Sequence, residues 1–132
     1  MRYIIDTYAW IEYFKGSPLG KNVKNIIEND GNIVPTIVLA EIKKKFTDWN
    51  RDDFDEILHF IHQHATMVPL DEATAILAGE IRSRTSVQGM GLVDCILIAL
   101  ARLYSCKVLT NDEHFEQLPE ATFMTEGGTN DF

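Results

Sequence analysis

Four acidic residues in this sequence are candidates for holding a divalent cation together. They are Asp6, Glu41, Asp94 and Asp112. Carboxylates within a few ångströms of one another repel, which raises their pKa values unless a cation lies between them. Mg²⁺ or Mn²⁺ is the ion that an all-oxygen site suits best. Such an ion lowers the pKa of a bound water and stabilises charge on a leaving oxygen. Because no Ser-His or Cys-His pair is evident, the acids indicate metal-assisted phosphodiester hydrolysis.

The elements around these acids predict how they could meet. Asp6 follows the apolar strand segment RYII, and Asp112 lies two residues past the strand segment KVLT. Asp94 falls in the first turn of an apolar helix, and Glu41 lies on the helix that follows the strand segment NIVP. In a parallel sheet with right-handed crossovers, strands end and helices begin at one edge, where ligands bind. Each acid also has a simpler explanation as a helix cap, a first-turn acid or a loop residue.

Strand and helix patterns alternate along the chain. Strands are predicted at 2–5, 32–35, 66–70, 107–110 and 121–125, and helices at 7–14, 17–30, 36–46, 51–64, 71–85 and 92–105. This alternation predicts an α/β fold with a mostly parallel central sheet that helices cover on both faces. We expect a single domain over residues 1–132, with residues 126–132 (EGGTNDF) as a flexible tail.

The composition is that of an ordinary globular protein, with an acidic balance. Twelve Lys and Arg against twenty Asp and Glu give a formal net charge of −8. That charge argues against phosphate binding, unless a bound metal reverses the local field or a basic partner covers the acids. Two cysteines do not suggest a disulfide framework, so we expect a reducing, cytoplasmic location. No apolar run approaches the roughly 20 residues of a membrane span, so no membrane association is expected.

Four segments of the chain carry a resemblance to a known family. IDTYAWIEYF, VLAEI, LVDCILIALA and VLTNDEHF resemble the PIN-domain ribonucleases, especially the VapC-type toxins of toxin–antitoxin pairs. The resemblance covers nearly the whole chain and implies a three-layer α/β/α fold with Mg²⁺-dependent (or Mn²⁺-dependent) endoribonuclease activity. By position it assigns catalysis and metal binding to Asp6, Glu41, Asp94 and Asp112. It also implies an RNA substrate, a homodimer, and a protein antitoxin that blocks the cleft.

Further residues are candidates for positioning the substrate. The resemblance matches Thr7 and Thr110 to hydroxyl residues near the first and last acids, and Asn111 to a variable position. Many such toxins carry a basic patch, which this acidic chain lacks in its overall balance. The candidates for phosphate contacts are Arg82, Arg84, Lys43, Lys44 and Lys45. The alternative for these five is ordinary surface solubility.

Aromatic and histidine side chains leave alternatives open. Tyr8, Trp10 and Phe14 could stack on bases, but their helical spacing favours packing. His59 and His62 share a helix face, yet no cysteine or acid completes an evident zinc set. His114 lies two residues after Asp112, where it could support the acids or simply pack.

Three other functions remain compatible with the sequence. One is a housekeeping PIN-domain nuclease that processes RNA without an antitoxin. Another is a non-catalytic interaction module that keeps the fold, although all four acids stand in place. The last is a metal-dependent phosphatase with an Asp nucleophile in a D-x-D arrangement. Tyr8 stands where the second aspartate of that arrangement is needed, which argues against the phosphatase.

Overall fold

A six-stranded sheet forms the centre of the protein in the computed structural model, which describes residues 2–131. The strands are β1 (Tyr3–Ile5), β2 (Asn32–Pro35), β3 (Ala65–Val68), β4 (Lys107–Thr110), β5 (Ala121–Thr125) and β6 (Gly128–Asp131). Their order across the sheet is β3-β2-β1-β4-β5-β6. All neighbouring strands run parallel except β5 and β6, which are antiparallel.

Helices connect the parallel strands and cover the sheet. They are α1 (Thr7–Lys15), α2 (Pro18–Asn22), α3 (Lys24–Ile27), α4 (Thr36–Asp48), α5 (Phe54–His64), α6 (Glu72–Arg84) and α7 (Leu92–Leu103), with a short 3-10 helix at Glu113–Phe115. Helix α1 packs on α4, and α6 packs on α7. Right-handed crossovers put these two pairs on opposite faces of the sheet. The predicted α/β fold with a mostly parallel sheet is confirmed. Within residues 2–131, no helix combines the length and the apolar character that crossing a membrane requires.

The central strands β1 and β4 are buried on both faces. Ile4, Ile5, Val108 and Leu109 are each 0% exposed, as the continuous apolar runs of an inner parallel strand predict. From β1 the chain moves to one side of the sheet through β2 and β3, then crosses back to β4. The chain therefore goes from β1 towards β2 on one side of this strand pair, and from β4 towards β5 on the other side. In open α/β sheets, ligands bind beside the carboxyl ends of such a strand pair.

The end of the chain differs from its prediction. Residues 126–132 were predicted to be a flexible tail, which is wrong for Gly128–Asp131, because these residues form β6 against β5; Phe132 lies outside the described residues. The Thr122 hydroxyl donates to Asp131 Oδ1 at 2.6 Å, and Gly128 has φ 132°, which glycine adopts at low cost. A strand this polar is stable because it lies at the sheet edge, where neither apolar alternation nor a buried face is required.

The segment after α1 also differs from its prediction. One helix was expected from Ser17 to about Asp30, but the structure has two short helices that break at Val23. Ser17 caps the first of them, since its hydroxyl accepts the backbone N–H of Gly20 at 3.1 Å. Gly20 lies so close to α1 that a Cβ there would come 2.1 Å from the carbonyl oxygen of Glu12. Close packing on α1 therefore fixes the path of this segment.

Candidate metal centre

Asp6 occupies the junction of β1 and α1, at the carboxyl edge of the sheet. It is 4% exposed, and its Oδ1 accepts the backbone N–H of Thr7 at 2.7 Å. Its Oδ2 accepts the hydroxyl of Thr110, also at 2.7 Å. Burial raises the pKa of Asp6 to about 7, although both hydrogen bonds favour the charged form. The negative charges of Glu41 and Asp94 raise this pKa further. A cation beside Asp6 would therefore stabilise its ionised form.

Glu41 reaches the same edge from α4, the helix that follows β2. The Thr7 hydroxyl donates to Glu41 Oε1 at 2.6 Å. Thr7 thus contacts both acids, because its backbone N–H binds Asp6 and its side chain binds Glu41. Thr7 itself is buried, 2% exposed, which holds this bridge in one geometry.

Asp94 lies in the first turn of α7 and points back towards the start of that helix. Its Oδ2 accepts the backbone N–H of Gly91 at 3.2 Å, as a first-turn acid that caps a helix does. Partial burial is the main cause that raises the pKa of Asp94, and the charges of Asp112 and Glu41 act in the same direction. The hydrogen bond from Gly91 and the nearby His114 oppose this rise. Asp94 is thus both a helix cap and a member of the acid cluster.

Asp112 follows β4 and begins the 3-10 helix. Its backbone N–H donates to the Thr110 hydroxyl oxygen at 3.0 Å, and its Oδ1 accepts the backbone N–H of His114 at 3.0 Å. The Thr110 hydroxyl also binds Asp6, so it links the acid that follows β1 to the acid that follows β4. One ligand atom each of Asp94, Asp112 and His114 lie within 4.8 Å of one another.

The charges of all four acids act on the hydroxyl of Tyr8, which lies next to the cluster. Tyr8 is 44% exposed, and partial burial raises the pKa of its hydroxyl. The other causes that raise this pKa are the negative charges of Asp112, Asp6, Glu41 and Asp94. The structure therefore brings the four predicted acids to one edge of the sheet. Carboxylate oxygens crowded in this way are the donor set that Mg²⁺ or Mn²⁺ prefers. The assignment of catalysis and metal binding to these acids remains a prediction.

Two shallow depressions flank this cluster, and Tyr8 lines both. One is also lined by Thr7, Glu41, Lys44 and Lys45, and the other by Glu12, Asn111, Asp112, Glu113 and His114. Of the residues predicted to position the substrate, Thr7 and Thr110 bind the acids directly and Asn111 lines one depression. Lys44 and Lys45 lie close to the acids, whereas Lys43 lies over the ring of Phe54.

The two arginines predicted to contact phosphate lie on α6. Arg82 and Arg84 are exposed in the last turn of α6. Arg84 lines a separate pocket with Glu120, which directly precedes β5 at the opposite edge of the sheet. Neither arginine forms an ion pair with the four acids among residues 2–131. The structure therefore places Arg84 away from the cluster. By contrast, the charge of Arg82 reaches Cys95, the residue after Asp94, and opposes the burial that raises the pKa of that thiol.

Some of the aromatic and histidine candidates also lie beside the acids, and others lie away from them. Trp10 is 0% exposed and stacks on Phe14, which is partly buried against the core, so both pack as their helical spacing favours. His59 and His62 are exposed on α5. His114, for which packing was the favoured explanation, lies beside the acids. A histidine two residues after a strand-end acid is the sequence signal for this placement, because a tight turn returns it to that acid.

Comparisons with known proteins agree with this architecture. The chain has a TM-score of 0.74 to a toxin–antitoxin complex from Klebsiella pneumoniae, at 16% identity over 98% of this chain and 99% of that one. It has a TM-score of 0.72 to VapBC2 from Rickettsia felis bound to a DNA fragment from its promoter, at 17% identity over 98% and 100% of the two chains. No curated protein sequence matches the chain significantly. The sequence model of the PIN domain matches residues 3–121. The chain therefore belongs to the PIN domain family.

Proposed function

We propose that this protein is a divalent-metal-dependent endoribonuclease and the toxin of a toxin–antitoxin pair. The observation that carries the proposal is the convergence of Asp6, Glu41, Asp94 and Asp112 on one edge of the sheet. Thr7 links Asp6 to Glu41, and Thr110 links Asp6 to Asp112. Ligand atoms of Asp112 and Asp94 lie within 4.8 Å of each other. Membership of the PIN domain family supports nuclease activity. The two similar structures are both toxin–antitoxin assemblies, which supports the biological role.

The residues present fit a hard divalent cation. Asp6, Asp94, Asp112 and Glu41 would hold Mg²⁺ or Mn²⁺, and the raised pKa of Asp6 reflects a buried carboxylate without a positive partner. When bound, the ion would lower the pKa of a water molecule and offset negative charge on the scissile phosphate. The protein supplies fixed positions for these ligands, because Thr7 and Thr110 hold Asp6 by hydrogen bonds to each of its oxygens.

The surroundings of the acids offer contacts to an RNA strand. Lys44 and Lys45 line the depression beside Glu41, where their charges would bind phosphates despite the net charge of −8. Lys44 would have to exchange its exposed ion pair with Asp48, at 2.6 Å, for the phosphate. Lys45 Nζ lies 5.5 Å from the ring centre of Tyr8. The exposed Tyr8 ring would stack on a base. RNA would thus be bound by lysine and tyrosine on one side of the acids.

Partner and location follow from the same proposal. We expect a homodimer, a protein antitoxin that covers the acid cleft, and a cytoplasmic location. We also expect residues 1–132 to act as one domain. Expression without the antitoxin should arrest growth, and co-expression of the antitoxin should restore it. Growth that continues while RNA is cleaved in vitro would instead favour a housekeeping RNA-processing nuclease.

The decisive test is RNA cleavage by site variants. Asp6→Asn and Asp94→Asn should each lower the cleavage rate by about 10²-fold or more, because a misplaced catalytic group costs about that much. Asp52→Asn, an exposed acid far from the cluster in sequence, is the matched control and should cleave like the wild type. Chelation of divalent ions should abolish activity. Site variants that cleave as fast as the wild type would refute the proposal.

A further inference from the structure

The Nδ1 atom of His114 has an unusual environment beside the acid cluster. It is shielded from solvent and has no hydrogen-bond partner among residues 2–131. It nevertheless lies 2.9 Å from Asp112 Oδ1 and 4.0 Å from Asp94 Oδ2. The geometry of the nearer pair is not that of a hydrogen bond, and Asp112 Oδ1 accepts the backbone N–H of His114. A shielded polar nitrogen without a partner is costly, which calls for a partner that the protein atoms do not supply.

The two distances are those expected between ligands of a single ion. Divalent first-row ions bind nitrogen and oxygen ligands at about 2.1 Å, so neighbouring ligands of an octahedron lie about 3 Å apart and opposite ligands about 4.2 Å apart. The separation of 2.9 Å matches neighbouring ligands, and 4.0 Å approaches the separation of opposite ligands. The ligand atoms of Asp94, Asp112 and His114 all lie within 4.8 Å of one another.

The opposite side of the His114 imidazole ring, at Nε2, contacts Gly89, and this contact holds the ring in its orientation. Gly89 has φ 77°, and a Cβ at this position would lie 2.9 Å from Nε2 of His114. The ring therefore rests against the bare backbone of Gly89, which turns Nδ1 towards the carboxylates. The same loop carries Gly91, whose N–H binds Asp94. A single loop thus positions two of the three prospective ligands.

We propose that Nδ1 of His114 is a metal ligand beside Asp94 and Asp112, so that the centre selects transition-metal ions such as Mn²⁺ over Mg²⁺. A nitrogen ligand favours the first-row transition ions, of which Mn²⁺ binds such a site most weakly and Fe²⁺ to Cu²⁺ bind it more tightly, whereas Mg²⁺ prefers oxygen ligands. His114 then carries its ring proton on Nε2, beside Gly89. This inference rests on the proposed metal centre and adds to it a nitrogen ligand and an order of ion preference.

The test is electron spin echo spectroscopy of the protein with one equivalent of Mn²⁺. The wild type should show modulation from a directly bound ¹⁴N nucleus. His114→Asn should lose that modulation and should bind Mn²⁺ at least about 10-fold more weakly by calorimetry, since even supporting residues of a metal site cost 10- to 100-fold. Its Mg²⁺ affinity should change by less than about 3-fold, because Mg²⁺ gains little from imidazole. His62→Asn, which removes an exposed imidazole on α5, is the matched control and should keep the signal.

Each result of this experiment bears on the inference separately from nuclease activity. Absence of ¹⁴N modulation in the wild type, or its persistence in His114→Asn, would overturn the inference. So would equal losses of Mn²⁺ and Mg²⁺ affinity, which would indicate that His114 only positions Asp112. Metal-dependent RNA cleavage with any of these results would leave the proposed function intact. If His114→Asn does not fold, His114→Gln provides the second variant, and the wild-type spectrum decides on its own.

Discussion

Replacing Asp6 with asparagine should stabilise the metal-free protein above about pH 6, while it removes a ligand of the proposed metal centre. The buried Asp6 carboxylate is held by two hydrogen bonds, yet its pKa rises to about 7 because burial outweighs them. The asparagine amide keeps an oxygen that can accept the Thr7 N–H, and it carries no charge to bury. The variant therefore avoids the cost of ionising a carboxylate away from water.

The size and the sign of the effect follow from the two pKa values. A rise from 3.8 to about 7 corresponds to at most about 4 kcal/mol for ionising Asp6 in the folded protein. The folded state binds more protons than the unfolded state across this window, so stability falls as pH rises from about 4 to about 7. The loss is absent below the unfolded pKa and complete above the folded pKa. Between about pH 5.5 and pH 8, the advantage of Asp6→Asn should grow by about 2 kcal/mol.

The assay is urea unfolding in the presence of a chelator at both pH values. Asp94 has a raised pKa as well. Both proteins share this residue, and its charge is the smallest of the causes that act on Asp6, so most of its effect cancels in the comparison. Asp52→Asn, an exposed substitution, is the control and should follow the wild type at both pH values. Addition of Mn²⁺ should reverse the order, since the wild type gains binding free energy that the variant lacks.

A pH-independent difference between Asp6→Asn and the wild type would refute this reasoning. A variant less stable than the wild type at pH 8 would refute it too. Either outcome would mean that Asp6 ionises near its ordinary pKa in the fold, so that its hydrogen bonds outweigh its burial.

Four further substitutions test other parts of the structure. Gly89→Ala should lower the free energy of unfolding by about 1–2 kcal/mol, because the φ of Gly89 is 77°, in the left-handed region. Gly79→Ala should raise it by about 0.5–1 kcal/mol, because Gly79 lies in α6 with open space around it. Thermal unfolding measures both changes. Thr110→Val should shift Mn²⁺ binding to higher pH by about one unit or more, because it removes a hydrogen bond to the ionised form of Asp6; calorimetry across pH checks this. Gly20→Ala should cost about 2 kcal/mol or more, since its Cβ would overlap α1; urea unfolding against the wild type measures the loss.

The sheet and the placement of the acids were predictable because they depend on local sequence features. An apolar segment that ends in an acid, as at Asp6 and Asp112, marks a buried strand and its carboxyl end. The topology rules for parallel sheets then bring such ends to one edge. Helix α7 could be predicted from its nearly continuous apolar surface, and Asp94 from its position in the first turn.

Other features depend on tertiary contacts that no local pattern records. Strand β6 is polar and glycine-rich, and it forms only because β5 offers an unpaired edge. The break at Val23 depends on how closely Gly20 packs on α1. The placement of His114 near Asp112 has a local signal, but the orientation of its ring depends on the backbone of Gly89, which is distant in sequence. Arg84 was predicted to contact phosphate from its charge and its position before a glycine-containing loop, but the direction of α6 carries it to the opposite edge.

The antiparallel course of β6 determines where attachments to this protein would emerge. Strand β1 starts, and β6 finishes, at the edge of the sheet that faces away from the acids. Lys107, the first residue of β4, forms an ion pair with Asp131 at 3.6 Å, which fixes the last described residues at that edge. Affinity tags or fluorescent fusions joined at either end should therefore leave the cleft accessible, so that tagged protein is suitable for cleavage and metal-binding assays.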